Sequence, residues 1–164
     1  MKRLGVTGYW LQLFFLNCHL QPTTCHLVLL EAKYVADSVF TKIIKGEIPS
    51  HKIYEDDKTF AFLDIHPKTN GHVLVVPKRQ VDEFQDLPDD DYIALMQTVK
   101  KVARRLKEVY PDKRIGLKVF GLDVPHVHIH VFPFGSIEEY LNTPDMSAEP
   151  DNQKLAEIAQ KLAF

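Results

Sequence analysis

Pro125-His126-Val127-His128-Ile129-His130-Val131-Phe132-Pro133 is the stretch whose reading decides the fold. Imidazole and apolar side chains alternate along it. Successive side chains of a β-strand point to opposite faces. The pattern therefore predicts a strand with His126, His128 and His130 on one face and Val127, Ile129 and Val131 on the other, toward a helix and the core. Three of the eight histidines of the chain fall on these alternate positions. Outward from there, Val124 to Phe134 reads as a fifth strand. Ile115 to Phe120 reads as a fourth, with Gly121-Leu122-Asp123 as a tight loop between them.

Upstream, Met96, Val99, Ala103, Leu106 and Tyr110 recur at spacings of three and four, the stripe of one long amphipathic helix. Pro88 and the run Asp89-Asp90-Asp91 suit its positive first turn, and Pro111 stops it. Its basic residues Lys100, Lys101, Arg104, Arg105 and Lys107 read as a solvated face. Tyr92, Ile93 and Leu95 lie off the stripe and are expected to face a partner. Before the helix, Ile53-Tyr54-Glu55, Thr59 to Asp64 and His72 to Val76 are three short strands. They are punctuated by Asp56-Asp57 and by Lys68-Thr69-Asn70-Gly71, and read as an antiparallel meander. Asp37-Ser38 caps a short helix from Val39 to Lys45 that Gly46 ends. After Gly135 the chain reads as irregular until Asn152, and Lys154 to Leu162 as a terminal helix. The expected fold class is α+β: a five-stranded, mainly antiparallel sheet with one long helix packed on it and a short N-terminal helix.

The chain has 164 residues, 45% hydrophobic and 26% charged, with a formal net charge of -2. This suits one soluble domain, and it supplies no basic field for long nucleic acids. Cys18 and Cys25 are the only cysteines. The rest folds without thiols, which argues against a disulfide scaffold and is compatible with a reducing cytosol. Residues 1–36 read differently. A basic start precedes an apolar run interrupted by Gln12, Asn17 and His19, a poor secretory signal and a marginal membrane span. An upstream leader, a targeting segment and an ordered extra element are all open. The expected division is 1–36 as an extension, 37–136 as the functional domain and 137–164 as a tail with a short helix. The expected location is the cytoplasm, with no membrane partner, though the extension leaves a targeting signal open.

Three imidazoles in register invite two chemistries. The first is a metal site, since neutral imidazole is a common ligand. Residues two apart on a strand are separated by roughly 6.6 Å and four apart by roughly 13 Å. Adjacent members can share an ion, but all three cannot without a sharp bend, and the flanks add only Asp123. The second fits better: a central histidine nucleophile that bonds to phosphorus while its neighbours hydrogen-bond the phosphate or the leaving group. That ring must be held in one tautomer by a bond from its inner N–H. No metal or other cofactor is then expected.

The His-φ-His-φ-His-φ-φ pattern at His126 to Phe132, φ being apolar, resembles the signature of the histidine-triad superfamily. Asp37 to Pro49 is similar to the opening of its small-nucleotide-hydrolase branch. Phe60 to Ile65 and Gly71 to Lys78 resemble its next two strands, and the blocks occur in the family's order over about residues 37–134. The resemblance implies His128 as nucleophile, with His126, His130 and His72 assisting around the phosphate. It implies a purine pocket of Val39, Phe40, Ile43, Phe62, Leu63 and Ile65, with Asp64 accepting from the ribose hydroxyls. It also implies a homodimer paired through the long helix and the fourth-strand region.

The chain departs from the family pattern before the triad. Many members carry an Asn on the fourth strand and a longer loop with Gly-Gln-Ser or Gly-Gln-Thr. Here Lys118 to Pro125 is short and lacks both. Gly121, Asp123 and Val124 are expected as the leaving-group loop instead, and whether Asp123 stands in for the hydroxyl, as acceptor for an amine leaving group or as proton carrier, is open at this point. The implied activity is cleavage of purine nucleoside phosphoramidates, dinucleoside polyphosphates or acyl-adenylates through a nucleotidyl-His128 intermediate. The alternatives are a nucleotide-binding regulatory module with little catalysis, and a metal-dependent hydrolase using the triad as ligands.

Overall fold

The computed structural model describes residues 36–164, all within one compact unit, Val35–Phe164. The readings made for residues 1–35 lie outside the described residues. Helix α1, Val39–Ile44, starts where Ser38 turns extended and its hydroxyl accepts the Thr41 N–H at 3.1 Å. Gly46, at φ 78°, lets the chain leave the helix in a backbone region that a side chain disfavours.

Five strands form one antiparallel sheet: β1 (Lys52–Glu55), β2 (Thr59–Leu63), β3 (Val73–Pro77), β4 (Arg114–Val119) and β5 (Ile129–Phe134), in the order β1-β2-β3-β5-β4. The α+β architecture expected from the sequence is present. Helix α2, Asp89–Val109, covers one face, and the short helix α3, Ile137–Leu141, and the last helix α4, Asn152–Leu162, follow β5.

Period-two alternation sorts the strand residues into two cores. Ala61, Leu63, Val73, Val75, Val127, Ile129 and Val131 pack on Leu95, Val99, Val102 and Leu106 of α2 and on Leu155, Ile158 and Leu162 of α4. The opposite face gathers Phe40 of α1 with Phe60, Phe62, Leu74 and Val76. Aromatic and aliphatic burial of this kind stabilises each side chain by about 1.5–3 kcal/mol.

Several expectations need correction. The buried stripe of α2 runs through Asp91, Leu95, Thr98, Val99, Val102 and Leu106, while Met96, Ala103 and Tyr110 flank it. Leu95 is therefore core and does not face a partner. Strand β5 begins at Ile129, not at Val124. The His126 N–H donates to the Val124 carbonyl within its own loop and the Val127 N–H to the Val81 carbonyl, each at 2.7 Å, so only Val127 pairs with the chain beyond β3. Helix α3 was expected as irregular chain. Ser136 caps it, its hydroxyl accepting from the Glu139 N–H, and Ser-x-x-Glu at 136–139 is the local signal that marks such a start.

Candidate active site

The three triad histidines share the sheet face opposite α2, and the local backbone gives each a different task. His126 is fully buried. Its Nε2 lies 2.8 Å from the Pro77 carbonyl oxygen, which only accepts, so Nε2 carries the proton. Its Nδ1 is then an acceptor, 2.9 Å from the Ser38 hydroxyl. The Thr41 hydroxyl and the Ser38 N–H both donate to Gln80 Oε1, at 2.6 and 2.8 Å, which frees the Ser38 proton for His126. Both ring nitrogens of His126 are thus held by the protein. The ring is therefore engaged by Pro77 and Ser38 on both sides, and it is the main-chain carbonyl of His126 that faces His128.

That carbonyl oxygen lies 2.7 Å from Nδ1 of His128. It accepts the Nδ1 proton and leaves Nε2 of His128 with a free lone pair, and that atom makes no hydrogen bond among the described residues. Burial lowers the pKa of His128, while the His126 carbonyl and the Asp123 carboxylate pull the other way. The ring is 6% exposed and stands edge-on to Phe40, with centroids 5.0 Å apart.

His130 and His72 form a second pair. The Lys68 N–H donates to Nδ1 of His72 at 3.2 Å, so Nε2 of His72 carries the proton and donates to Nδ1 of His130 at 2.9 Å. The Nε2–H of His130 is left as a buried donor with no partner, an atom placed to meet an oxygen of a ligand. Burial drives the pKa of His72 down to about 3, and the charges of His130, Lys68 and Lys118 act in the same direction. His130 falls to about 4, from burial first and then from His128 and the two lysines. All these rings are neutral at pH 7, the state in which an imidazole lone pair is nucleophilic.

Asp64 stands where β2 ends. Its Oδ1 accepts the His66 N–H at 2.9 Å, capping the turn, and its Oδ2 faces Nδ1 of His72 at 3.4 Å. Burial raises its pKa. Asp64, His72 and His130 bring potential ligand atoms within 4.8 Å of one another, the geometry of a cation site. Nδ1 of His72 already accepts the Lys68 N–H, however, and the two nearby ammonium groups oppose a cation. The donor set fits an anion better.

The aromatic face beside the triad contains Phe40, Phe62, Leu74 and Val76, with Ile43 and Val124 packed on it. Val39 and Ile65 are exposed, and Ile65 lines a different cavity, with Pro144 and with Lys154, Leu155 and Ile158 of α4. Leu63 is not brought to this face. Alternation along β2 turns it into the core under α2, where it is 1% exposed. In the loop before the triad, Gly121, Leu122 and Asp123 are exposed. From the sequence Ser38 is only a helix cap, and nothing local marks Thr41, Gln80, Lys68 or Lys118 as site residues. Their partners are up to 88 residues away in sequence, so no local pattern reveals them.

The HIT domain family profile matches residues 45–136. The chain belongs to the HIT family. It is 42% identical over 99 residues to a HIT-like protein of Methanocaldococcus jannaschii, covering 58% of this chain and 77% of that one. It is 34% identical over 128 residues to an adenosine 5′-monophosphoramidase of Saccharomyces cerevisiae, covering 77% of this chain and 81% of the relative. A crystal structure of a HIT-like protein from Bartonella henselae superposes with a TM-score of 0.68 at 29% identity, covering 79% of this chain and 96% of that one. At family level the HIT domain is a nucleotide-binding hydrolase unit.

Proposed function

We propose that this HIT protein is a purine nucleotidyl hydrolase or transferase with His128 as nucleophile. One observation carries the reading. The His126 carbonyl fixes the His128 tautomer at 2.7 Å and leaves Nε2 as an uncommitted lone pair beside an unpartnered imidazole N–H.

In the first step Nε2 of His128 attacks the α-phosphorus, and the bond from phosphorus to the leaving group breaks. The leaving group departs with the bonding pair and takes a proton from solvent, while the Nε2–H of His130 stays on its ring and hydrogen-bonds a phosphate oxygen. Water then attacks phosphorus and releases a proton to solvent, the phosphorus–nitrogen bond breaks, and the pair returns to His128 as the nucleoside monophosphate leaves. Donors that meet the charge developing on the phosphate lower the barrier. Phe40, Ile43 and Phe62 hold the base, and Oδ2 of Asp64 accepts from the ribose. Substrates are nucleoside phosphoramidates, dinucleoside polyphosphates or acyl-adenylates, and the name of the Saccharomyces relative supports the first class.

The assembly we propose is a homodimer. Strand β4 is a sheet edge, and its Leu117 and Val119, with the adjoining Phe120, are exposed, as are Tyr92 and Ile93 of α2. An unpaired apolar edge of this kind is a ready site for strand addition. No helix among the described residues is long and apolar enough to cross a membrane. A cytoplasmic location is part of the same proposal, supported by a core folded without thiols. Neither a long nucleic acid nor a membrane is a partner in it.

The test is turnover of adenosine 5′-phosphoramidate by the native chain and by His128→Asn. The native chain releases AMP; the variant loses about a thousandfold or more in rate, as expected when a covalent nucleophile is removed, while still binding AMP. A variant as active as the native chain contradicts the proposal. A native chain that binds AMP without turnover favours the regulatory alternative, which the short loop at Gly121–Val124 keeps in view.

A further inference from the structure

Two lysines stand together where the reaction so far gives them no task. Lys118, on β4, is the cross-strand partner of His130 on β5, so both side chains leave the same face of the sheet. Lys68 enters from the turn before β3. Its ammonium lies 5.7 Å from the ring centroid of Phe132, and that of Lys118 lies 6.0 Å from the same centroid. Burial lowers the pKa of Lys68, and the facing Lys118 lowers it further.

Both lysines are fixed from behind. The Lys68 main chain is held at both ends, its N–H donating to His72 Nδ1 and its carbonyl accepting from Asn142 Nδ2 at 3.2 Å. The Lys118 ammonium donates to the Tyr140 carbonyl at 3.1 Å and lies 4.6 Å from the Tyr140 ring centroid. Gly116, opposite Phe132, leaves room for this wall, since a Cβ there would come within 3.0 Å of Tyr140 Cε2 and 3.2 Å of Phe132 Cε2. Among the described residues neither ammonium is paired with a carboxylate. Two like charges held face to face, without a counter-charge, are a standing cost that an anion relieves.

We infer that Lys68 and Lys118 form an anion subsite for a second phosphate of the substrate, the one joined to the phosphorus that His128 attacks. The inference rests on the nucleotidyl-transfer reading and extends its substrates, beyond the phosphoramidates, to adenosine nucleotides whose leaving group begins with a phosphate, which the subsite binds more tightly. The geometry agrees. Lys118 lies at the level of His130, one alternate position, roughly 6.6 Å, beyond His128 along the strand. The buried Nε2–H of His130 supplies a further donor at that level. The subsite selects the leaving group by charge. The chemistry of attack at His128 is unchanged.

The probes are AMP, AMP with added orthophosphate, and α,β-methylene ADP, whose two phosphates are linked by a bond that cannot be hydrolysed. Affinities are measured by calorimetry for the native chain and for Lys68→Gln/Lys118→Gln. The native chain is expected to bind the methylene analogue about tenfold more tightly than AMP, the scale of one added charge-assisted contact. The double variant keeps its AMP affinity and loses that preference, and Lys68→Arg/Lys118→Arg retains it. Equal preference in the native and double-variant chains overturns the inference. So does an equal loss of AMP binding in the variant, or tightening of AMP by free orthophosphate as large as that given by the linked phosphate. A native chain that binds neither nucleotide removes the nucleotide reading and the subsite with it, whereas loss of the preference's lysine dependence removes the subsite alone.

Discussion

Nδ1 of His128 donates to the main-chain oxygen of the residue two positions before it, His126, at 2.7 Å. A strand that ran regularly through 126–130 would spend that carbonyl on a neighbouring strand. Here the chain leaves the ladder before Ile129, and the carbonyl is free to set the tautomer of His128. The histidine ring on the same residue, clamped between Pro77 and Ser38, holds the carbonyl in place.

Ser38→Ala tests this positioning. It removes the donor to His126 Nδ1 and the acceptor for the Thr41 N–H, at a cost of about 1–2 kcal/mol in stability. Steady-state kinetics are expected to show kcat reduced by about tenfold, the effect of misaligning a group that acts only in the transition state, with KM little changed. Ser38→Thr, which keeps the hydroxyl, restores most of the rate. A rise in KM at constant kcat contradicts a positioning role.

Stability is expected to fall on acidification through a window set by the buried imidazoles. His72 and His130 have folded-state pKa values lowered to about 3 and about 4, below the roughly 6.5 of an unfolded histidine. Between those limits the unfolded chain binds more protons, so stability declines as pH drops below about 6.5 and continues down to about 4 for the His130 part and about 3 for the His72 part. Denaturant titrations at pH 7, 6 and 5 check this. His72→Gln is expected to flatten the pH dependence, and a slope unchanged in that variant contradicts the assignment.

The legible part of the fold lay in short-range patterns. The Ser38 cap, the helical period of α2 and the two-sided alternation at 127–131 are local, and α1 and α2 formed where those patterns stand, although the buried stripe of α2 is shifted through Leu95, Thr98 and Val102. Alternation also puts Leu63 on the α2 side of β2, away from Phe62; a pocket carried over from a resemblance as a block of adjacent residues overrode that simple rule. The start of β5 was illegible because the Val127 N–H bonds with Val81, far away in the chain. The role of His126 turned on Ser38 and Pro77, and that of Lys68 on a main-chain N–H reaching a side chain. None of these contacts leaves a trace in spacing. The last helix was visible as a helix, but its place in the main core, through Leu155, Ile158 and Leu162, is a tertiary fact.

Gly71 precedes His72 at φ 90°, and a Cβ there would meet Tyr110 Cε2 at 2.7 Å. Gly71→Ala is expected to destabilise by roughly 2 kcal/mol or more, combining backbone strain with displacement of the ring. Gly46→Ala, at φ 78° with nothing within 4 Å, isolates the backbone part and is expected to cost about 1 kcal/mol. Thermal melts of the two variants compare the effects directly. Only Gly71→Ala is expected also to lower turnover, because it moves the backbone that carries His72. Equal losses in the two melts contradict a tight Tyr110 contact.

The most direct test of the covalent route is intact-protein and peptide mass spectrometry after rapid mixing of the native chain with an adenosine phosphoramidate and an acid quench. One adenylyl group on each chain, mapped to the imidazole of His128 and absent from His128→Asn, is the expected result. Steady turnover without an adenylylated species at early times, or an adduct on a residue other than His128, would contradict it.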